Sequence, residues 1–338
     1  MSLKLIALFF VFLAQIFTVH ASDDITWEPL KKGDKIHLFA SGFGVDEDTL
    51  EQAQNIIKSY GYTPVMPEDL IIPQQFGFAN TEEYRGNHLK RLLEDSDVKV
   101  LWAVRGGRGT SATLPYLDSL KPETDLKHKR IIGFSDITAL HLWAFNQKIS
   151  SIHGVNLTTN SECRTTVNGK TSASSVMEIL SGEIKKLEYD LTPVNSTAQT
   201  KTSIVSKIVG GNVSLIQRSI GTSTSLHPEN CILFLEEVGE DPSRFLEIIT
   251  QFERSKLFKG VQAIILGDFS AGQQPEIMRS FLRLFSEWGS RMDKMEIPVF
   301  RSSRFGHGEF NDPLPLNMPT TLTTQGNEGN ATLEIEII

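Results

Sequence analysis

From Lys35 onward, short apolar runs alternate with stretches of helical spacing, and no other feature of the chain restricts its fold as much. Lys35-Ile36-His37-Leu38-Phe39-Ala40 is strand-like and ends at Ser41-Gly42-Phe43-Gly44. Asp46 to Tyr60 then places Leu50, Ala53, Ile56 and Ile57 on one helical face. Tyr62 to Met66 reads as a second strand, and Thr81 to Leu93 as a helix with Leu89, Leu92 and Leu93 inward. Val98 to Val104 and Arg130 to Phe134 are strong strands, the latter running straight into a helix over Ile137 to Phe145. Strands joined by helical crossovers pair in parallel, so the first half predicts a doubly wound sheet with its chemistry at the strand C-termini.

Past Val155 this pattern loosens. Asn156 to Ser175, rich in Thr, Ser and Asn, reads as a long connection, Val176 to Ser181 as a short helix, and residues 186–203 as an edge strand and linker. A second unit begins at Ile204. It holds strands over Cys231 to Glu236 and Val261 to Leu266, helices over Arg244 to Arg254 and Pro275 to Trp288, and a last strand, Asn330 to Ile338, that alternates as if one face were wet. With 338 residues the chain exceeds what one hydrophobic core usually serves. The expected division is an α/β domain over 22–185, the linker 186–203 and a second domain over 204–338.

Residues 1–21 stand apart from this scheme. Lys4, an apolar run from Leu5 to Ala14, and small residues at Val19 and Ala21 have the form of a signal peptide cleaved after Ala21. Export, to the periplasm in a bacterium, is therefore expected, with no membrane span once the leader is gone. The chain carries 33 Lys and Arg against 41 Asp and Glu, which argues against nucleic acid as a partner. Its two cysteines, Cys163 and Cys231, are too few for a disulfide framework, and Cys231 opens a strand-like run where burial is equally natural. Neither Cys-x-x-Cys nor His-Glu-x-x-His occurs, so no metal is expected. Four Asn-x-Ser/Thr sequons, at Asn156, Asn195, Asn212 and Asn330, fit the glycosylation pattern.

Four short segments carry possible chemistry. Gly133-Phe134-Ser135-Asp136 lies between a strand and a helix, where a sharp turn projects a serine hydroxyl out of the sheet, although Ile137 replaces the second glycine of the usual elbow. The plain alternative is that Ser135 or Asp136 caps the helix. Arg105-Gly106-Gly107-Arg108-Gly109 follows a strand and suits a backbone N–H donor to an oxyanion better than a phosphate loop, because it lacks the Lys-Ser/Thr of that motif. Leu233-Phe234-Leu235-Glu236-Glu237-Val238-Gly239-Glu240 puts carboxylates after an apolar strand, either as a solvated turn or as the group that orients a histidine. Arg304-Phe305-Gly306-His307-Gly308 supplies a histidine between glycines, with His141 and His153 as competing bases and His37 and His227 in less suggestive contexts.

Together these segments resemble the LD-carboxypeptidase family of serine peptidases, whose relatives include the microcin C immunity peptidases. The resemblance also covers Ala40-Ser41-Gly42, Val209-Gly210-Gly211-Asn212 and Ile264-Ile265-Leu266-Gly267-Asp268-Phe269, in the family's order. It implies a flavodoxin-like N-terminal parallel-sheet domain that carries Ser135 as nucleophile. A C-terminal β-rich α/β domain would carry Glu236 and His307, with the site in the cleft between the two. The implied oxyanion donors are the backbone N–H groups of Gly107 and Asp136. For the free carboxylate of such a substrate, Arg105 and Arg304, with Arg301 near His307, are the candidates, each equally readable as a solvated arginine. The implied reaction needs no cofactor: an acyl-enzyme hydrolysis of the bond between meso-diaminopimelate and terminal D-alanine in a muropeptide, by a homodimer. Arg108 departs from the tyrosine of many relatives, and the leader departs from cytoplasmic recycling. Two rival readings remain, an immunity-type peptidase that cleaves a peptide–nucleotide toxin and an exported protein that binds wall peptides without cutting them.

Overall fold

The computed structural model describes residues 27–158, 166, 168–200, 202–269, 275–324, 326 and 329–338. The leader and Cys163 lie outside the described residues; Cys231 is a buried free thiol.

The first half forms β1 (Lys35–Phe39), α1 (Glu47–Ser59), β2 (Thr63–Val65), α2 (Glu82–Glu94), β3 (Val100–Ala103), α3 (Thr110–Leu117), β4 (Arg130–Gly133), α4 (Thr138–Asn146), β5 (Ser151–His153) and α5 (Ser172–Leu180). Local chemistry sets several helix starts: the side chains of Asp46, Thr81 and Thr171 accept from the N–H groups of Thr49, Tyr84 and Ser174. Strands β1 to β5 pair in parallel in the spatial order 2-1-3-4-5, the flavodoxin-like order. Helix α3 has no counterpart in the sequence reading, because Pro115 lies within it and its apolar residues show no clear face.

The second half forms β6 (Lys186–Pro193), β7 (Thr202–Asn212), α6 (Val213–Ser219), β8 (Ile232–Glu236), α7 (Pro242–Arg254), β9 (Ala263–Leu266), α8 (Pro275–Asp293), β10 (Val299–Arg301), β11 (Leu314–Leu316), β12 (Pro319–Thr324) and β13 (Ala331–Glu336). Seven of these strands close into a barrel in the order β10-β6-β13-β12-β7-β8-β9. The segment 186–203, read as an edge strand and linker, thus contributes β6, flanked by β13 and β10, and the start of β7. Strand β7 changes character along its length. Residues 202–207 pair antiparallel with β12 and are half wet, whereas Ile208–Asn212 pairs in parallel with β8 and is dry from end to end.

The remaining strand, β11, leaves the barrel and pairs antiparallel with β5, so the C-terminal half completes the N-terminal sheet. Both edges of that sheet carry a proline, Pro64 in β2 and Pro315 in β11, which weakens each edge as a template for another strand. One apolar core runs through both halves, from Ile36, Trp102 and Ile152 to Ile208, Phe234 and Leu333.

Candidate active site

The site is built on the C-terminal ends of parallel strands. Strand β4 is fully buried to Gly133, Phe134 is extended, and Ser135 then adopts φ 64 before a 3-10 turn leads into α4. A left-handed serine costs on the order of 1 kcal/mol and holds only where neighbours over-determine it. Here the Gly133 carbonyl accepts from His141 Nε2 at 2.9 Å, and the Phe134 N–H donates to Asn156 Oδ1 at 3.1 Å. Neither Ser135 nor Asp136 caps the helix, which removes the plain alternative for this motif. The Asp136 carboxylate instead accepts the N–H and hydroxyl of Thr110 at 2.9 and 2.7 Å, joining the turn to the start of α3. Burial pushes its pKa up, against the opposing pull of those two bonds.

The glycine loop after β3 lies directly against this turn. A Cβ added at Gly106 would stand 3.1 Å from the Ser135 Cβ and 3.3 Å from the Phe134 carbonyl oxygen. Gly107, at φ 101, is exposed, and a Cβ there would strike the Phe43 ring at 2.6 Å. Arg105 is exposed, with its guanidinium 5.7 Å from the Phe43 ring centre and one nitrogen donating to the Gly44 carbonyl at 2.9 Å.

From the barrel side, Glu236 ends β8 with no exposed side-chain surface, and its Oε2 lies 2.6 Å from His307 Nδ1. Gly306, at φ 118, lets the loop approach, since a Cβ there would be 3.0 Å from that same oxygen. The adjacent Glu237 goes elsewhere: it accepts from Asn212 Nδ2 at 2.9 Å and from the N–H of Ser214 at 2.8 Å, and burial and the neighbouring Glu236 raise its pKa. The His307 ring is 4.7 Å from the Phe134 ring, centre to centre, which puts it against the residue preceding Ser135. A relay of bonds spans the same gap. Thr138 Oγ1 at the start of α4 accepts the Asn212 N–H, Asn212 binds Glu237, the Glu237 N–H donates to the Asp268 carbonyl, and the Asp268 N–H donates to the Phe305 carbonyl.

The competing histidines take structural places. His141 is buried between Ser151 and the Gly133 carbonyl, and burial lowers its pKa to about 4. His153 is fully buried between Phe134 and Phe234, with its pKa lowered well below the ordinary value by burial. His37 is buried and His227 exposed. Arg304 is held by Asp312 at 3.0 Å and lies over the Tyr189 ring, while Arg301 is exposed at the end of β10. The sequon asparagines Asn156, Asn195 and Asn212 are buried with bonded side chains, and only Asn330 is exposed. Among the described residues no cluster suited to a metal ion occurs, and no helix is long and apolar enough to cross a membrane.

A serine thus stands on a strand-to-helix turn, and a histidine paired with a buried glutamate packs against the residue before it. The chain belongs to the LD-carboxypeptidase family: residues 36–154 match its N-terminal domain and residues 205–322 its C-terminal domain. A Rickettsia conorii protein named as a carboxypeptidase is 32% identical over 94% of this chain and 95% of its own. The murein tetrapeptide carboxypeptidase of Pseudomonas aeruginosa is 28% identical over 93% of this chain and 98% of its own. Among solved structures, an MccF-like protein from Bacillus anthracis superposes with a TM-score of 0.75 at 19% identity, covering 92% of this chain and 99% of that one.

Proposed function

We propose that the protein is an exported serine carboxypeptidase that hydrolyses the amide between meso-diaminopimelate and the terminal D-alanine of a muropeptide tetrapeptide, by way of an acyl-enzyme. The observation that carries this reading is the 2.6 Å His307–Glu236 pair seated against Phe134, next to a serine held at φ 64. In this mechanism Ser135 Oγ attacks the carbonyl of the diaminopimelate L-centre while His307 Nε2 takes its proton. Glu236 keeps the other proton on Nδ1 and stabilises the imidazolium. The N–H groups of Gly107 and Asp136 meet the tetrahedral oxyanion. Collapse breaks the C–N bond, His307 returns its proton to the departing D-alanine amine, and a water activated by the same histidine releases the acyl group.

Arg105 is the better placed of the two arginines to bind the free carboxylate of D-alanine, because it is exposed beside the glycine loop while Arg304 already has a carboxylate partner. The leader-like pattern of residues 1–21 supports export, and a homodimer is the assembly we expect. The name of the Pseudomonas aeruginosa relative supports the wall-peptide substrate. Likeness to the MccF-like fold supports a second reading, in which the same groups cleave an amide between a peptide's terminal aspartate and a nucleotide-like group.

Release of D-alanine from a disaccharide tetrapeptide, measured for the wild type and for Ser135→Ala, tests the proposal. The wild type should release it, and Ser135→Ala should lower kcat by about 10³-fold or more with the fold intact. Undiminished release by the variant would remove Ser135 from the reaction. Failure of the wild type, with cleavage of a peptidyl-nucleotide amide instead, would transfer the site to the second reading; failure on both substrates would leave a binding protein.

A further inference from the structure

Three connections meet at one point beside Ser135: the glycine loop after β3, the turn after β4 and the segment after β5. A Cβ built on Gly106 would lie 3.1 Å from Ser135 Cβ, 3.3 Å from the Phe134 carbonyl oxygen and 3.2 Å from Asn156 Nδ2. The orientation of the Asn156 amide is settled by chemistry. The Phe134 N–H can only donate, so the atom 3.1 Å from it is the oxygen, and Nδ2 is turned toward Gly106. The backbone around Asn156 is fixed on both sides. The Trp102 indole N–H donates to the Val155 carbonyl at 2.7 Å, and the Leu157 N–H donates to the Ala103 carbonyl at 2.9 Å. With only 5% of its surface exposed, Asn156 cannot present its sequon to a modifying enzyme, and its amide serves the turn instead.

We propose that Asn156 is a positioning residue of the active site, its amide wedged between the Ser135 turn and the glycine loop. The proposal rests on Ser135 being the nucleophile. Its oxygen holds the peptide that enters Ser135 and so sustains the left-handed conformation. Its Nδ2 protons keep a positive edge facing the space where negative charge develops during attack. Neither contribution is available to an apolar side chain of the same size.

Asn156→Asp separates these duties, because it keeps an acceptor for the Phe134 N–H but replaces the Nδ2 protons with a charged oxygen. The readout is the rate at which a fluorophosphonate labels Ser135, divided by the folded fraction from near-ultraviolet circular dichroism. We expect Asn156→Asp to melt below the wild type, because it buries a carboxylate, and to label about tenfold more slowly or worse per folded molecule at pH 8. The ratio of variant to wild-type rate should climb as the pH drops and the new carboxyl takes up a proton. A ratio near one, or a loss independent of pH that tracks the folded fraction, would assign Asn156 to fold stability alone and overturn the proposal. Should Asn156→Asp not fold, Asn156→Ala decides: slower labelling per folded molecule supports the positioning role, and equal labelling overturns it. Absence of labelling in the wild type, matched by Ser135→Ala, would instead count against the nucleophile and is thereby distinguished from failure of this inference.

Discussion

At the scale of single residues, the site depends on groups whose neighbours dictate their protonation or conformation. Glu236 is completely buried, and one of its carboxylate oxygens lies 2.6 Å from His307 Nδ1. Glu236→Gln keeps the shape and loses the charge. We expect kcat for D-alanine release to fall about 10²- to 10⁴-fold with KM little changed, and an unchanged kcat would remove Glu236 from the mechanism. Buried histidines also link stability to pH. Burial lowers His88 and His141 to a pKa of about 4, so below pH 6.5 the unfolded chain takes up protons that the folded chain refuses. Stability is therefore full above pH 6.5 and drains as the pH falls toward 4, by on the order of 3 kcal/mol for each ring at the acid limit. The raised carboxyls of Asp136 and Glu237 act in the opposite sense, since their contribution is present in acid and is lost as the pH rises through their folded pKa values. Urea unfolding at pH 7 and pH 5 should show the net loss, and His141→Gln should flatten the slope; an unaltered slope would mean that His141 is not one of its sources.

At the scale of elements, the junction of β7 and β8 is the least forgiving. Gly210 sits at φ 130, and a Cβ there would be 2.0 Å from the Phe234 carbonyl oxygen, so any side chain forces the two parallel strands apart. Gly210→Ala should cost more than about 3 kcal/mol or abolish soluble expression. Gly221 is the control: its φ is also positive, at 85, but a Cβ there meets nothing within 4 Å. Gly221→Ala should cost only about 1 kcal/mol, and comparable melting temperatures for the two variants would refute the clash. The same two strands lead into Asn212 and Glu236, so damage here reaches the site through Glu237 and His307.

At the scale of the whole molecule, the two family domains are not independent bodies. Strand β11 crosses from the C-terminal half to complete the N-terminal sheet, Ser150 Oγ donates to the Asn317 carbonyl at 3.1 Å, and the largest of three apolar clusters runs through both halves. Thermal or urea unfolding should therefore show one transition, coincident by far-ultraviolet circular dichroism and tryptophan fluorescence. Two separated transitions would contradict the shared core. By the same argument residues 27–185 expressed alone should aggregate, because the β5 edge that β11 covers is then open to other chains.

Much of this architecture was legible in the residues because it depends on short-range patterning. The spacing of Leu50, Ala53, Ile56 and Ile57, the apolar runs at β1, β3, β4 and β8, and the Ser135 turn are local, and periodicity of 3.6 or 2 records them directly. Elements with too little length or contrast escaped: the three-residue β5, β10 and β11, the threonine-rich β12, and α3 with its internal proline. Tertiary structure alone decided that β6 closes a barrel and that β11 leaves one, whereas the Glu236–His307 pair, implied by the family resemblance, is met at 2.6 Å with Glu237 turned to Asn212. It also decided that Asn156, a sequon on paper, is buried against the Ser135 turn, and that Ser135 itself is held left-handed. The reason is physical. Local propensity acts over a turn of helix or a strand's length, whereas burial, closure and the pairing of charges depend on which distant segments displace water from the same space.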